Sequence, residues 1–579
     1  MKRLLLSISL FSFSFFIASS QSNIVCTDTS AQNVMLGKYS PLTYLASPVL
    51  NRPDTIFQGI NKRISPDSLK SYIITMASFG NRNTASDTIS STFGIGAARR
   101  WVYSKFQEYS FANQNRLLPA YLQFTLSTCG VSQHRNIIAV LPGIDTTDKS
   151  IIIIEGHIDS RCENVCDTTC KAEGVEDNAS GAALVMELTR VMSKYSYNNT
   201  IVFMVTTGEE QGLYGGQAFV NYAKAKGVKI KAVLNNDVIG GIICGYTSSA
   251  PSCPGYGDLD STHVRLFSYG SFNSAHKGLS RFIKLEYKEN LLPIVSVPMS
   301  INIMSPEDRT GRGGDHIPFR GGGFTAMRFT AENEDGNANV TDTAYHDRQH
   351  STRDTLGTFK KSTSVLDSFF VNFPYLGRNA VINGNAAGML GIGPKQPDFN
   401  LTTVGNGTLR IQVTKQTQYK QYRIGVRTTT NDWDSVYTIT GTLIDTIKGL
   451  MHGVYDVSVM SVDTNGIESL PSTEYSSTVT NTDEVRGISK NIELLQNKPN
   501  PFDFATYIGV KVNSNVEYRD AYILVRDMQG KELKKLPIKL NEGTNEVLFE
   551  HGYSARGIYS YSLVIDGRQV ASRQMIFAN

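Results

Sequence analysis

Three apolar runs in this chain each end in a cluster of acids or a histidine, and that coincidence limits the folds open to it. Ile151 to Glu155 runs into His157-Ile158-Asp159, Ile201 to Val205 into Thr206-Thr207-Gly208-Glu209-Glu210, and Ala232 to Leu234 into Asn235-Asn236-Asp237. Runs this short and continuous read as central strands buried on both faces. Between the first two, Ala183, Leu184, Leu188 and Val191 recur at helical spacing, which predicts a helix from Gly181 to about Tyr195 packed on the sheet. Strands alternating with amphipathic helices give an α/β domain with a mixed, largely parallel central sheet flanked by helices. The carboxyl ends of parallel strands share one edge, where ligand sites form, so the three polar clusters are expected to converge.

At 579 residues the chain is too long for one ordinary domain. Residues 1–20 carry Lys2 and Arg3, an apolar run, and the small residues Ala18, Ser19 and Ser20, the pattern of a secretory signal peptide. A transmembrane anchor is the alternative, but Ser7, Ser9, Ser12 and Ser14 interrupt a run shorter than the ~20 residues a span needs. No later stretch approaches that length, so the mature chain is expected to have no transmembrane anchor. A polar lead over residues 21–65 reads as an arm or pro-segment lying on the α/β domain of residues 66–394. Two regions of short Thr/Val/Tyr-rich strands follow, residues 396–482 and 491–579, and each reads as a small all-β sandwich. The formal net charge is only +4, with acids and bases interspersed, which argues against a nucleic-acid partner.

All seven cysteines lie beyond residue 20, and an exported chain meets an oxidising compartment. Cys162, Cys166 and Cys170 lack the Cys-x2-Cys spacing of zinc sites, so local or cross-loop disulfides are expected instead of a metal. Cys244 and Cys253 could clip a short loop, and the odd total leaves at least one thiol over.

Between the first strand and its helix lies Gly174-Val175-Glu176-Asp177-Asn178-Ala179-Ser180-Gly181. Asp177 alone would be read as a helix N-cap or first-turn acid. An acid brought to an edge that already holds a histidine and three other carboxylates is repelled unless a cation sits among them. His157 alone would be a structural histidine, but Asp159 beside it could accept the ring's second N–H and fix its tautomer. Glu209 and Glu210 alone would be solvated surface acids; on a glycine-rich turn after a buried strand, one can bind metal while the other takes a proton from water.

These blocks resemble, in order, the M28 family of metallopeptidases, whose members include bacterial leucyl aminopeptidases with two zinc ions. The likeness spans about Ser78 to Leu356 and includes Phe79-Gly80-Asn81-Arg82 and Gly94 to Trp101. It implies two Zn²⁺: His157 and Asp237 on one, Glu210 and a distal histidine on the other, Asp177 bridging, and Glu209 as general base. Of His346 and His350, the latter has the family's spacing to the Asp354-Thr355 step, and His316 in Gly314-Asp315-His316-Ile317-Pro318-Phe319 is read as supporting structure or substrate contact. Two zinc ions bring about four positive charges, balanced by about three carboxylates and one hydroxide. The resemblance implies an aminopeptidase acting on peptides or proteins with a free N-terminus; a carboxypeptidase or glutaminyl cyclase of the same fold, or a zinc-stabilised binding protein, are the rivals.

Tyr422 to Val426 and Tyr455 to Val462, followed by Asp463-Thr464-Asn465-Gly466, resemble a fibronectin type III module. Leu494-Leu495-Gln496-Asn497-Lys498-Pro499-Asn500-Pro501-Phe502 and Gly557-Ile558-Tyr559-Ser560-Tyr561 resemble the C-terminal sorting domain of the type IX secretion system. That resemblance implies the type IX machinery as a partner and a secreted or cell-surface location.

Overall fold

The computed structural model describes residues 21–578 apart from 245–256, 310–312, 333–347, 360–365, 406, 429, 480–490, 515–517, 519, 528–529, 553–555 and 566–567. The signal expected at residues 1–20, the linker at Asn481 to Lys490, His346 and Cys253 lie outside the described residues. Among the described residues no helix is long and apolar enough to cross a membrane.

A nine-stranded sheet organises the first two-thirds of the chain. Its strands are β1 (Ser22–Cys26), β2 (Leu118–Thr128), β3 (Val131–Leu141), β4 (Ile151–His157), β5 (Thr200–Thr206), β6 (Ile230–Asn236), β7 (His263–Phe267), β8 (Ser300–Ile303) and β9 (Ala326–Ala331), in the spatial order β1-β2-β3-β5-β4-β6-β9-β7-β8. The three predicted strands are β4, β5 and β6, and they lie side by side at the centre. β5, β4, β6 and β9 pair in parallel, while β1, β2 and β3 form an antiparallel flank. Every residue of β4 and β5 is buried, because helices cover both faces. α2 (Pro53–Arg63), α3 (Pro66–Ser78), α4 (Gly94–Ala112), α5 (Ser180–Met192), α7 (Ala275–Glu286) and α9 (Phe373–Ile392) share one core with Ile152 and Ile154. On the other face α1 (Thr29–Met35), α6 (Tyr214–Lys226) and α8 (His316–Gly321) pack with Ile151 and Ile153. Alternate residues of one strand therefore feed two cores, and each buried isoleucine contributes roughly 1.5–3 kcal/mol.

The polar lead is more than an arm. β1 pairs antiparallel with β2, from Ser22 opposite Thr125 to Cys26 opposite Leu122, and so covers an edge that would otherwise expose unpaired N–H and C=O groups. Ile56, Phe57 and Ile60 of α2 and Ala31, Val34 and Met35 of α1 are core residues. β1, α1 and α2 thus share the sheet and the two cores with residues 66–394. The predicted helix after Gly181 is α5, which stops at Met192, short of Tyr195.

Residues 398–479 form a three-stranded and a four-stranded sheet around Leu409, Ile411, Tyr422, Ile424, Val457 and Val459. Residues 492–577 repeat that three-plus-four arrangement around a separate core that includes Ile508, Val510, Ile523, Tyr561 and Leu563. The first of these β units is fastened to α7. Arg281 Nη1 lies 3.1 Å from Glu474 Oε1, Arg427 Nε donates to the same oxygen at 2.7 Å, and all three side chains are buried.

Cysteines 129 and 166 form one disulfide and 162 and 170 another, both in the loop after β4 or tying it to the β2–β3 turn. The Cys162–Asp167–Cys170 cluster is therefore bridged sulfur and not a metal site. Cys244 is also disulfide-bonded, and Cys26 is a free, buried thiol whose pKa burial pushes up to about 11.

Candidate metal centre

β4, β5 and β6 end at one level: His157 is in register with Thr206, and Glu155 with Asn235. The side chains that follow the strands meet in the crevice above that edge. His157, the last residue of β4, is fully buried. Its Nδ1 lies 3.0 Å from the main-chain oxygen of Asp159, which leaves Nε2 to face the crevice. There Nε2 is 3.1 Å from Asp177 Oδ1 and 3.4 Å from Asp237 Oδ1. On the opposite side His350 Nε2 is 3.0 Å from Asp177 Oδ2 and 3.3 Å from Glu210 Oε2. Asp177 thus turns one carboxylate oxygen toward each histidine, and the five residues form two trios that share it.

The backbone around Asp177 explains its aim. Gly174 has φ 49°, in the left-handed region, and a Cβ there would lie 2.3 Å from the Ser160 Cβ. Asp354 accepts hydrogen bonds from the N–H groups of Glu176 and Asp177 at 2.9 and 3.0 Å. The side-chain bond at the start of α5 is made by Asn178 and not by Asp177: Asn178 Oδ1 accepts from Gly181 N at 2.8 Å. Asp177 is left free for the crevice.

Glu209 and Glu210 sit on the turn after β5, which Gly208 opens with φ 84°. Asp159 accepts from Glu210 N at 3.1 Å and lies 3.4 Å from Glu209 N, so it pins the turn. The expected carboxylate bond to the His157 ring is not made: Asp159 Oδ1 is 3.7 Å from Nδ1, too long for a hydrogen bond, and the carbonyl oxygen takes that place. The cause is that β4 ends at His157, so Asp159 no longer shares the strand face and swings toward β5. The two glutamates diverge as adjacent residues should. The Glu210 side chain is 2% exposed and reaches His350, while that of Glu209 is 11% exposed and its Oε2 stands 3.9 Å from His157 Nε2, farther than Asp177 or Asp237.

The electrostatics call for a cation. Burial and the neighbouring acids push the carboxyls of Glu209 and Glu210 well above the carboxylate range, with His157 opposing. For His157, burial works against the charged ring, but Glu209 and Asp237 overcome it and hold the ring well above the ordinary histidine value. His157 Nε2, Asp237 Oδ1 and Glu210 Oε1 are buried and make no hydrogen bond. Buried polar atoms without partners are costly, and here they converge with the imidazole and carboxylate donors that zinc takes. His157, Asp177 and Glu210 form one compact group of candidate ligands, and His157, Glu209 and Asp237 another.

Three residues given no role from sequence complete the site. Arg82, fully buried, donates to the carbonyls of Ile158, Met76, Glu173 and Gly174 and so ties the Asp159 loop to the Asp177 turn. Asp354 fixes the Asp177 turn, and Arg328 on β9 holds Asp237 with Nη2 to Oδ2 at 3.0 Å. Arg82 and Asp354 lie inside stretches already singled out, but their backbone-directed bonds leave no periodic signal; Arg328 interrupts an apolar strand, which was the available sign. His316 Nε2 donates to the Glu307 carbonyl at 3.1 Å and lies 3.6 Å from Asp308, in neither trio.

The profile of Peptidase family M28 matches residues 136–366, which include every residue of both trios. A probable zinc metalloprotease of Leptosphaeria maculans is 30% identical over 399 residues, covering 65% of this chain and 87% of that protein. One from Pyricularia oryzae is 31% identical over 371 residues, covering 62% and 70%. Among solved structures, the LapA aminopeptidase of Legionella pneumophila aligns at 17% identity and TM-score 0.42, over 59% of this chain and 75% of that one. A glutaminyl cyclase of Porphyromonas gingivalis aligns at 14% and 0.38, over 56% and 97%. At these scores neither structure decides between the two chemistries.

Proposed function

The chain belongs to peptidase family M28, a family of zinc metalloproteases, and from that premise we propose that it is a two-zinc aminopeptidase that hydrolyses the N-terminal peptide bond of peptides and proteins. The observation that carries the two-ion reading is the position of Asp177, 3.1 Å from His157 by one oxygen and 3.0 Å from His350 by the other. In this reading His157 and Asp237 would hold one ion, Glu210 and His350 the second, and Asp177 would contribute to both. When bound, the metal pair supplies Lewis acidity for the scissile carbonyl and lowers the pKa of a water. Glu209 would serve as the general base, holding a proton taken from water in the crevice and giving it to the departing amine, a role that suits a carboxylate beside the ligands but less buried than Glu210. Asp159 and Gly208 keep Glu209 in place by fixing its turn. The specificity for a free N-terminus rests on the resemblance to leucyl aminopeptidases across these blocks.

Metal analysis of the purified protein tests the ion count. Close to two zinc ions per chain is the expected value, with activity lost to a chelator. Active protein with no more than one tightly bound ion would contradict this reading and favour a cyclase-like reaction.

A further inference from the structure

Asp237 offers the crevice only one of its oxygens. Oδ1 is buried and makes no hydrogen bond, whereas Oδ2 is 3.0 Å from Arg328 Nη2. Arg328 is fully buried in β9, next to β6 in the sheet, with Asn235 opposite it in the register. Its other donors are also committed: Nη1 to Asp308 Oδ2 at 3.1 Å and to the Gly313 carbonyl, Nε to Thr330 Oγ1 at 3.0 Å. Thr330 Oγ1 in turn donates to the Asp237 carbonyl at 2.8 Å. Asp237 is thereby gripped at both its carboxylate and its main chain by two residues of the same strand. Glu210 in the other trio is held differently: its Oε1 is buried without a hydrogen bond, and Arg161 Nε is 4.0 Å from its Oε2.

We propose that Arg328 is the positioning residue of the His157/Asp237 metal position: by occupying Oδ2 it presents Asp237 to the ion through Oδ1 alone and sets how tightly that one ion is held. The inference rests on the two-zinc reading and adds to it an asymmetry between the two positions. Arginine suits this part because its planar fork can hold two carboxylates at once and keeps its charge when buried, while a lysine in its place offers one point charge. Partners one step removed from a metal ligand are typically worth about 10–100-fold in metal affinity.

The test is stepwise zinc binding, read by competition with a chelator of known affinity, in the full chain and in Arg328→Gln and Arg328→Lys. The parent should show two dissociation constants. Arg328→Gln should weaken one of them by about 10–100-fold and leave the other at the parent value. Arg328→Lys, which keeps the buried charge and so guards against loss of the fold, should fall between the two. In a His350→Gln background, where the other position is already crippled, Arg328→Gln should weaken the remaining ion by the same factor. Unchanged or tighter binding in both Arg328 variants, or parallel loss of both ions, would overturn the proposal. A parent chain that binds a single ion would instead overturn the two-zinc reading and this inference with it, so the two failures are distinguishable.

Discussion

Glu209→Gln should keep its zinc and its fold while losing turnover by about 10²–10⁴-fold, the range that general acid–base catalysis is worth. An amide of the same shape can neither accept the proton of the attacking water nor deliver one to the leaving amine. The metal should stay, because Glu209 Oε2 is 3.9 Å from His157 Nε2 while Asp177 and Asp237 stand at 3.1 and 3.4 Å. Glu210→Gln makes the contrasting case. Its side chain is 2% exposed and 3.3 Å from His350, so an amide there should weaken one metal as well as activity. Zinc content and turnover measured on both variants separate the roles. If Glu209→Gln loses zinc and Glu210→Gln keeps it, the two glutamates are exchanged; if Glu209→Gln works at near-parent rate, it is not the base.

Asp177→Asn should be more damaging to metal binding than any other single change at the site. Both oxygens of Asp177 face a histidine, at 3.1 and 3.0 Å, so it is the one residue common to the two trios. Replacing one oxygen by an amide nitrogen removes a negative charge that, on the two-zinc reading, would serve both ions. The two affinities should fall together, each by at least the ~10–100-fold that outlying partners of metal ligands command. Loss of only one ion in Asp177→Asn would mean that the carboxylate serves a single metal. Isothermal titration of zinc into the metal-free variant reads this directly.

Much of the site was legible because the residues with the right chemistry stand just past continuous apolar runs. Ile151 to Ile154 had to be a buried strand, and the histidine that ends it had to lie at the sheet edge with Glu209, Glu210 and Asp237. The distal histidine was harder, since no apolar run in the sequence leads into His350, and only its spacing to Asp354-Thr355 singled it out. Asp159 shows the limit of reading by periodicity. Its two-residue offset from His157 left open whether the carboxylate reaches the ring; the strand stops between them, and the carboxylate serves the next turn instead. Arg82 was invisible, and Arg328 was marked only by its place in an apolar strand, for a related reason: a buried arginine is explained by the acids or carbonyls that surround it, and those come from distant parts of the chain. The lead over residues 21–65 looked peripheral because it is polar, yet five residues of it complete the sheet edge. The likenesses to a fibronectin type III module and to a type IX sorting domain rest on sequence; the structure adds that both regions are three-plus-four sandwiches with their own cores.

The most direct test of the account is turnover of a panel of aminoacyl fluorogenic substrates, each run beside its N-acetylated counterpart, with and without a chelator. Substrates with a free α-amine should release the fluorophore, the chelator should abolish that release and added zinc restore it, and acetylated substrates should show little or no turnover. Equal hydrolysis of the acetylated substrates, or cyclisation of an N-terminal glutamine with release of ammonia and no peptide hydrolysis, would contradict it.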